Sequence, residues 1–86
     1  MNSKEVEQVA RAFLLEWPPF RERYPHIGPM SVSSGKDETG RAIWRVNVSP
    51  ATDISCSLAV YDDVGEVVRA RLITLRVSSV IAEWHR

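Results

Sequence analysis

A single cysteine, Cys56, leaves the chain unable to close an internal disulfide or to assemble a cysteine-cluster zinc site. Charge of one sign is equally absent, because 11 lysines and arginines balance 11 aspartates and glutamates. The balance also holds locally, with five bases against six acids in residues 1–40 and six against five in residues 41–86. No global field therefore draws the protein to nucleic acid or to an anionic membrane surface, and any basic site must be a local one. No stretch approaches the roughly 20 apolar residues that cross a bilayer. Asn2 to Glu16 is charged throughout and lacks the basic start and continuous apolar run of a secretion signal. These absences point to cytoplasmic residence, with no membrane partner and nucleic acid disfavoured.

What is present fits one small globular domain over residues 1–86. A hydrophobic fraction of 44% and a charged fraction of 26% are ordinary globular usage, and the second half is rich in Val, Ile, Leu and Trp, which argues against disorder. Apolar residues recur at Val6, Val9, Ala10, Phe13, Leu14 and Trp17, the spacing that places one stripe on one helical face. Asn2 and Glu5 stand at capping-box separation, although Ser3 could cap equally well. Pro18 and Pro19 end the helix, since each lacks an N–H and forces its predecessor away from helical angles. Phe20 to Pro29 reads as a partly packed connector with room for one helical turn.

Period-two alternation then takes over. Met30, Val32 and Ser34 alternate with Ser31 and Ser33; Trp44, Val46 and Val48 alternate with Ile43, Arg45 and Asn47; Ile54, Cys56, Leu58 and Val60 alternate with Ser55, Ser57, Ala59 and Tyr61. Turn-forming clusters at Lys36 to Gly40, Ser49 to Asp53 and Asp62 to Gly65 separate the runs. Connections this short favour an antiparallel meander, because parallel neighbours need about a dozen or more linking residues. A fourth strand is predicted from about Glu66 to Leu72. Beyond it, Ile73, Val77, Val80, Ile81 and Trp84 have helical spacing and predict a C-terminal helix from about Thr74, although Val67 to Val77 also alternates as one long strand. The expected fold is α+β, with an N-terminal amphipathic helix packed on a three- to four-stranded antiparallel meander sheet and a helix at the C-terminus.

Candidate sites are few. Asp62, Asp63 and Glu66 crowd a turn and could hold a hard cation, but their spacing is not that of an EF-hand loop, and acids with Gly65 are ordinary hairpin chemistry. Cys56 alternates in phase with Ile54, Leu58 and Val60 and should be a core residue, with neither His26 nor His85 brought to it as a base. No catalytic residue, metal site or cofactor motif emerges. The sheet face opposite the helix gathers Arg45, Asn47, Ser55, Ser57, Tyr61, Arg69 and Arg71, a polar surface with three arginines and one aromatic. Arginine forks pair with carboxylates or phosphates, and Tyr61 could stack, so the binding candidates are Arg45, Asn47, Tyr61, Arg69 and Arg71. The plainer account of that face is solvation.

Three tryptophans complete the picture. Trp17 and Trp44 fall in core phase, whereas Val77, Ile81 and Trp84 would form an apolar strip that a second copy covers in a homodimer. The first functional reading is a non-enzymatic protein-interaction module working through the arginine-bearing face or the C-terminal strip. The second is a small-ligand-binding protein or minor enzyme, its pocket lying between helix and sheet and floored by Trp17, Trp44 and Tyr24. A helper or inhibitory subunit is a third reading that the residues do not separate from the first.

Overall fold

A computed structural model describes residues Met1–Arg86. The fold starts at Asn2, whose side chain accepts a hydrogen bond from the Glu5 amide while the Glu5 carboxylate accepts one from the Asn2 amide. This reciprocal cap satisfies two of the donors that a helix start leaves unpaired. Helix α1 (Ser3–Glu16) follows, with Val6, Ala10 and Leu14 fully buried along its stripe. Trp17 precedes a proline and is accordingly extended, at φ −88° and ψ 109°. Pro18 then opens a single turn, α2 (Pro18–Arg21), where its missing N–H removes no helical bond.

Five strands come next: β1 (Met30–Lys36), β2 (Ala42–Ala51), β3 (Ile54–Tyr61), β4 (Glu66–Thr74) and β5 (Ser79–His85). Each pairs antiparallel with its neighbour in the chain, so the spatial order is β1-β2-β3-β4-β5. Two inward rows run across the sheet, Met30–Val48–Cys56–Leu72–Ala82 and Val32–Val46–Leu58–Ala70–Trp84. Helix α1, Trp17 and Phe20 cover them and complete one core. Phe13 bridges the two ends of the fold, its ring 5.6 Å from Trp17 and 5.0 Å, edge-on, from Trp84. No helix is long and apolar enough to cross a membrane.

The α+β class, the N-terminal helix and the antiparallel meander match the sequence reading; the strand number and the last element do not. There are five strands rather than three or four, and no C-terminal helix: the chain from Thr74 turns back and forms β5. Two local features disguise this strand. A bulge near Leu72 and Ile73 leaves Ile81 without a cross-strand partner, so Ile81, Ala82 and Trp84 all pack on the core in a spacing that imitates a helical stripe. The β4–β5 turn also contains neither glycine nor proline, and its left-handed position is taken by Ser78 at φ 50°.

Candidate functional site

Cross-strand register fixes what the open face of the sheet displays. Away from α1, one row reads Ser31–Asn47–Ser57–Arg71–Glu83 and the next Ser33–Arg45–Ala59–Arg69–His85. Arg45, Asn47, Arg69 and Arg71 therefore share one face with Ser57 and Tyr61, as period-two alternation predicts. The face also has an apolar floor of its own. Ile43 and Ala59 are only 4% and 5% exposed yet lie outside the main core cluster. They line surface depressions together with Arg69 and Tyr61, an arrangement in which a long basic side chain lies along apolar surface and keeps its charged head in water.

The three arginines differ in how they are engaged. Arg71 Nε donates to Glu83 Oε1 at 2.7 Å and is neutralised in place. Arg69 has no carboxylate partner and makes no side-chain hydrogen bond within the chain. Arg45 donates through Nη2 to the backbone oxygen of Lys36 at 3.1 Å, and it too lacks a carboxylate. Its guanidinium rests on Gly35, where a Cβ would overlap Nη1. Between Arg45 and Arg69 stands the small Ala59, one strand from each, so the two arginines leave the backbone roughly 10 Å apart. Below them a depression of about 230 Å³ is lined by Arg45, Val46, Asn47, Ser57, Leu58 and Arg69, with no acidic side chain in its wall. The larger depression nearby, about 530 Å³, shares the two arginines but is walled on its other side by Asp37 and Glu38. The two depressions share the same arginines, and the smaller is the one whose own wall holds no carboxylate.

Tyr61 is placed on this face, with one side of its ring already covered. The Arg41 guanidinium lies 3.5 Å from its ring centroid and is itself held by both carboxylate oxygens of Asp63 at 3.0 Å. The crowded acids of the β3–β4 turn thus serve three cations and one neutral donor. Asp62 accepts from Trp44 Nε1 at 2.7 Å and from the terminal amine at 3.2 Å, Asp63 takes Arg41, and Glu66 pairs with Arg86 at 2.6 Å. Gly65, at φ 65°, supplies the positive angle the turn needs.

These contacts have a pH signature. The Trp44 indole donor, followed by the terminal amine, holds the Asp62 carboxyl below its ordinary value; Arg41 does the same for Asp63, and the Thr39 hydroxyl for Asp37. A carboxyl lowered in the folded state stabilises the fold fully above its unfolded value, about 3.9, and loses that contribution as pH falls through the folded value. The urea midpoint should decline below about pH 4. Asp62→Asn, which keeps the indole acceptor without the charge, should make the decline shallower; an identical acid limb in the variant would remove Asp62 from this account.

Other candidate residues are placed as follows. Cys56 is fully buried on the inward face, and burial pushes its thiol up to about 12, so it is a packed apolar group rather than a nucleophile. His85 lies on the opposite face, beside Arg69, and His26 is exposed in the connector. Val77, Ile81 and Trp84 are not gathered into one exposed strip: Val77 is 71% exposed at the β4–β5 turn, while Ile81 and Trp84 pack on the core. Val6, Ala10 and Leu14 fill the seam between helix and sheet, and none of the five surface depressions is lined by Trp17, Trp44 or Tyr24. Sequence reasoning missed Arg41 and His85. Arg41 sits at the rim of a turn cluster, where no periodicity assigns a face, and His85 joins the open face only once residues 79–85 are a strand. Comparison with protein-family models, curated proteins and solved structures finds no match.

Proposed function

We propose that this chain is a non-enzymatic, cytoplasmic binding module that holds an acidic segment of a protein partner against its open sheet face. One observation carries the reading: Arg45 and Arg69 flank an acid-free depression and have no carboxylate of their own. The exposed Arg69 guanidinium borders it on one side, and Arg45, whose head lies over Gly35 toward the β1 edge, borders it on the other, so each offers its own fork to a carboxylate of an extended acidic segment. A protein acid suits the face better than single-stranded nucleic acid. Base stacking needs open aromatic faces, and Tyr61 already carries Arg41 on its ring. Zero net charge likewise gives little attraction for a polyanion at a distance.

The test uses a fluorescein-labelled glutamate-rich peptide followed by anisotropy at low ionic strength. Arg45→Glu with Arg69→Glu should weaken binding by roughly tenfold or more. Arg11→Glu with Arg21→Glu, the same change in net charge on helical surface, should leave it unaltered. Equal losses in the two double variants would reduce the effect to general electrostatics and sink the reading.

A further inference from the structure

Building on the reading of the open face as an acid-binding surface, we infer that the acidic segment is captured as an added strand on the free edge of β1, with its outward carboxylates meeting Arg45 across Gly35. The edge can be read from hydrogen-bond parity. Ser49 N donates to Pro29 O at 3.1 Å and Asp37 N to Arg41 O at 2.9 Å, at the two ends of an unbroken register running from Met30↔Val48 to Lys36↔Ala42. Hydrogen-bonded and non-bonded pairs alternate in an antiparallel ladder. Ser31, Ser33 and Gly35 therefore bond to β2, and Met30, Val32, Ser34 and Lys36 turn their backbone N–H and C=O groups outward. The Lys36 oxygen shows this directly, since Arg45 reaches past Gly35 to bond it at the sheet edge.

Protected edges carry bulges, prolines or inward charges. β1 has no bulge and no proline, its register has no shift, and its one charge, Lys36, stands only at the last position of the strand. The opposite edge, β5, is interrupted by its bulge and carries Glu83, which is unsuited to an acidic strand.

Side-chain size and charge specify the occupant. On the open face β1 presents Ser31, Ser33 and Gly35, so no side chain stands between the edge and the Arg45 guanidinium. A strand added about 4.8 Å beyond β1 would set an acid opposite Gly35 within reach of that guanidinium. On the other face Met30 and Val32 are half-buried against the core, and an apolar residue of the added strand would extend it. The recognised segment thus alternates acidic and apolar residues, and backbone pairing supplies the rest of its affinity. A second copy of β1 would meet the edge with serines and glycine and leave Arg45 without an acid.

The probe is a short peptide alternating valine with glutamate, compared with its glutamine counterpart and with a form N-methylated on the residues that face β1. Wild-type protein should bind the glutamate peptide and slow hydrogen exchange at the Val32 and Ser34 amides. N-methylation should cost about tenfold or more, the loss of edge hydrogen bonds, without touching the protein. Ser34→Pro should cost as much, since that N–H faces outward and its loss leaves the β1–β2 ladder intact. Arg45→Ala should abolish the preference for glutamate over glutamine. If the glutamate-rich peptide of the previous test binds but N-methylation and Ser34→Pro change nothing, the edge mode is overturned while the arginine face stands. If neither peptide binds wild type, both readings fall. A Ser34→Pro effect on oligomeric state alone would assign the edge to a second copy and overturn the proposal.

Discussion

Leu14→Ala is expected to lower the free energy of unfolding by about 3 kcal/mol, the usual cost of emptying a fully buried leucine site. Leu14 is wholly inaccessible and lies on the stripe that seals α1 to the sheet. A chain of this length has roughly 4–13 kcal/mol of stability in all, so the loss is a large share and corresponds to about 12–24 °C in Tm. Urea melts should show a lower midpoint with an unchanged slope. Leu15→Ala is the internal control. Leu15 is one residue on and 60% exposed, and its truncation should stay within about 0.5 kcal/mol. Similar costs at the two positions would mean that α1 is docked on another face.

Ending the chain after Ser78 should have a still larger effect. β5 contributes Ile81, Ala82 and Trp84 to the core, and Trp84 stacks edge-on against Phe13 of α1. Losing these groups and uncovering Leu72 and Ala70 removes about 4 kcal/mol or more of burial, comparable with the whole stability of a domain this size. It would also leave β4 as an apolar edge, a template for aggregation. The shortened chain should lose its near-ultraviolet circular dichroism and run as aggregate or unfolded material on size exclusion. A cooperative melt within about 1 kcal/mol of the full chain would reduce β5 to an appendage.

How much of this was legible beforehand varied along the chain, for physical reasons. The α1 stripe could be read because helix period is local, and capping spacing narrowed the helix start to Asn2 or Ser3, of which the fold uses Asn2. β2 and β3 could be read because the larger apolar residues of each, Trp44, Val46 and Val48, then Cys56, Leu58 and Val60, fall on one face at period two, even though Ile43 and Ala59 are buried on the other. The same alternation placed Arg45, Asn47, Arg69 and Arg71 on one face. It does not separate the arginines, because whether Arg71 is neutralised depends on Glu83, which lies in the strand whose spacing imitates a helix. The bulge at Ile81 and the turn closed by Ser78 removed both signals of β5 at once. Nor did spacing reveal Arg41 over Tyr61, a contact between a turn and a strand end far away in the chain.

The neighbour-to-neighbour order of the sheet has a kinetic consequence. Each hairpin closes a short loop, so the sheet can assemble progressively at little entropic cost. Helix α1 has no such local partner: its stripe needs rows contributed by every strand, and Phe13 finds Trp84 only at the opposite end of the fold. Because α1 precedes every strand in the chain, its apolar stripe is the surface most in need of shielding until β5 is in place.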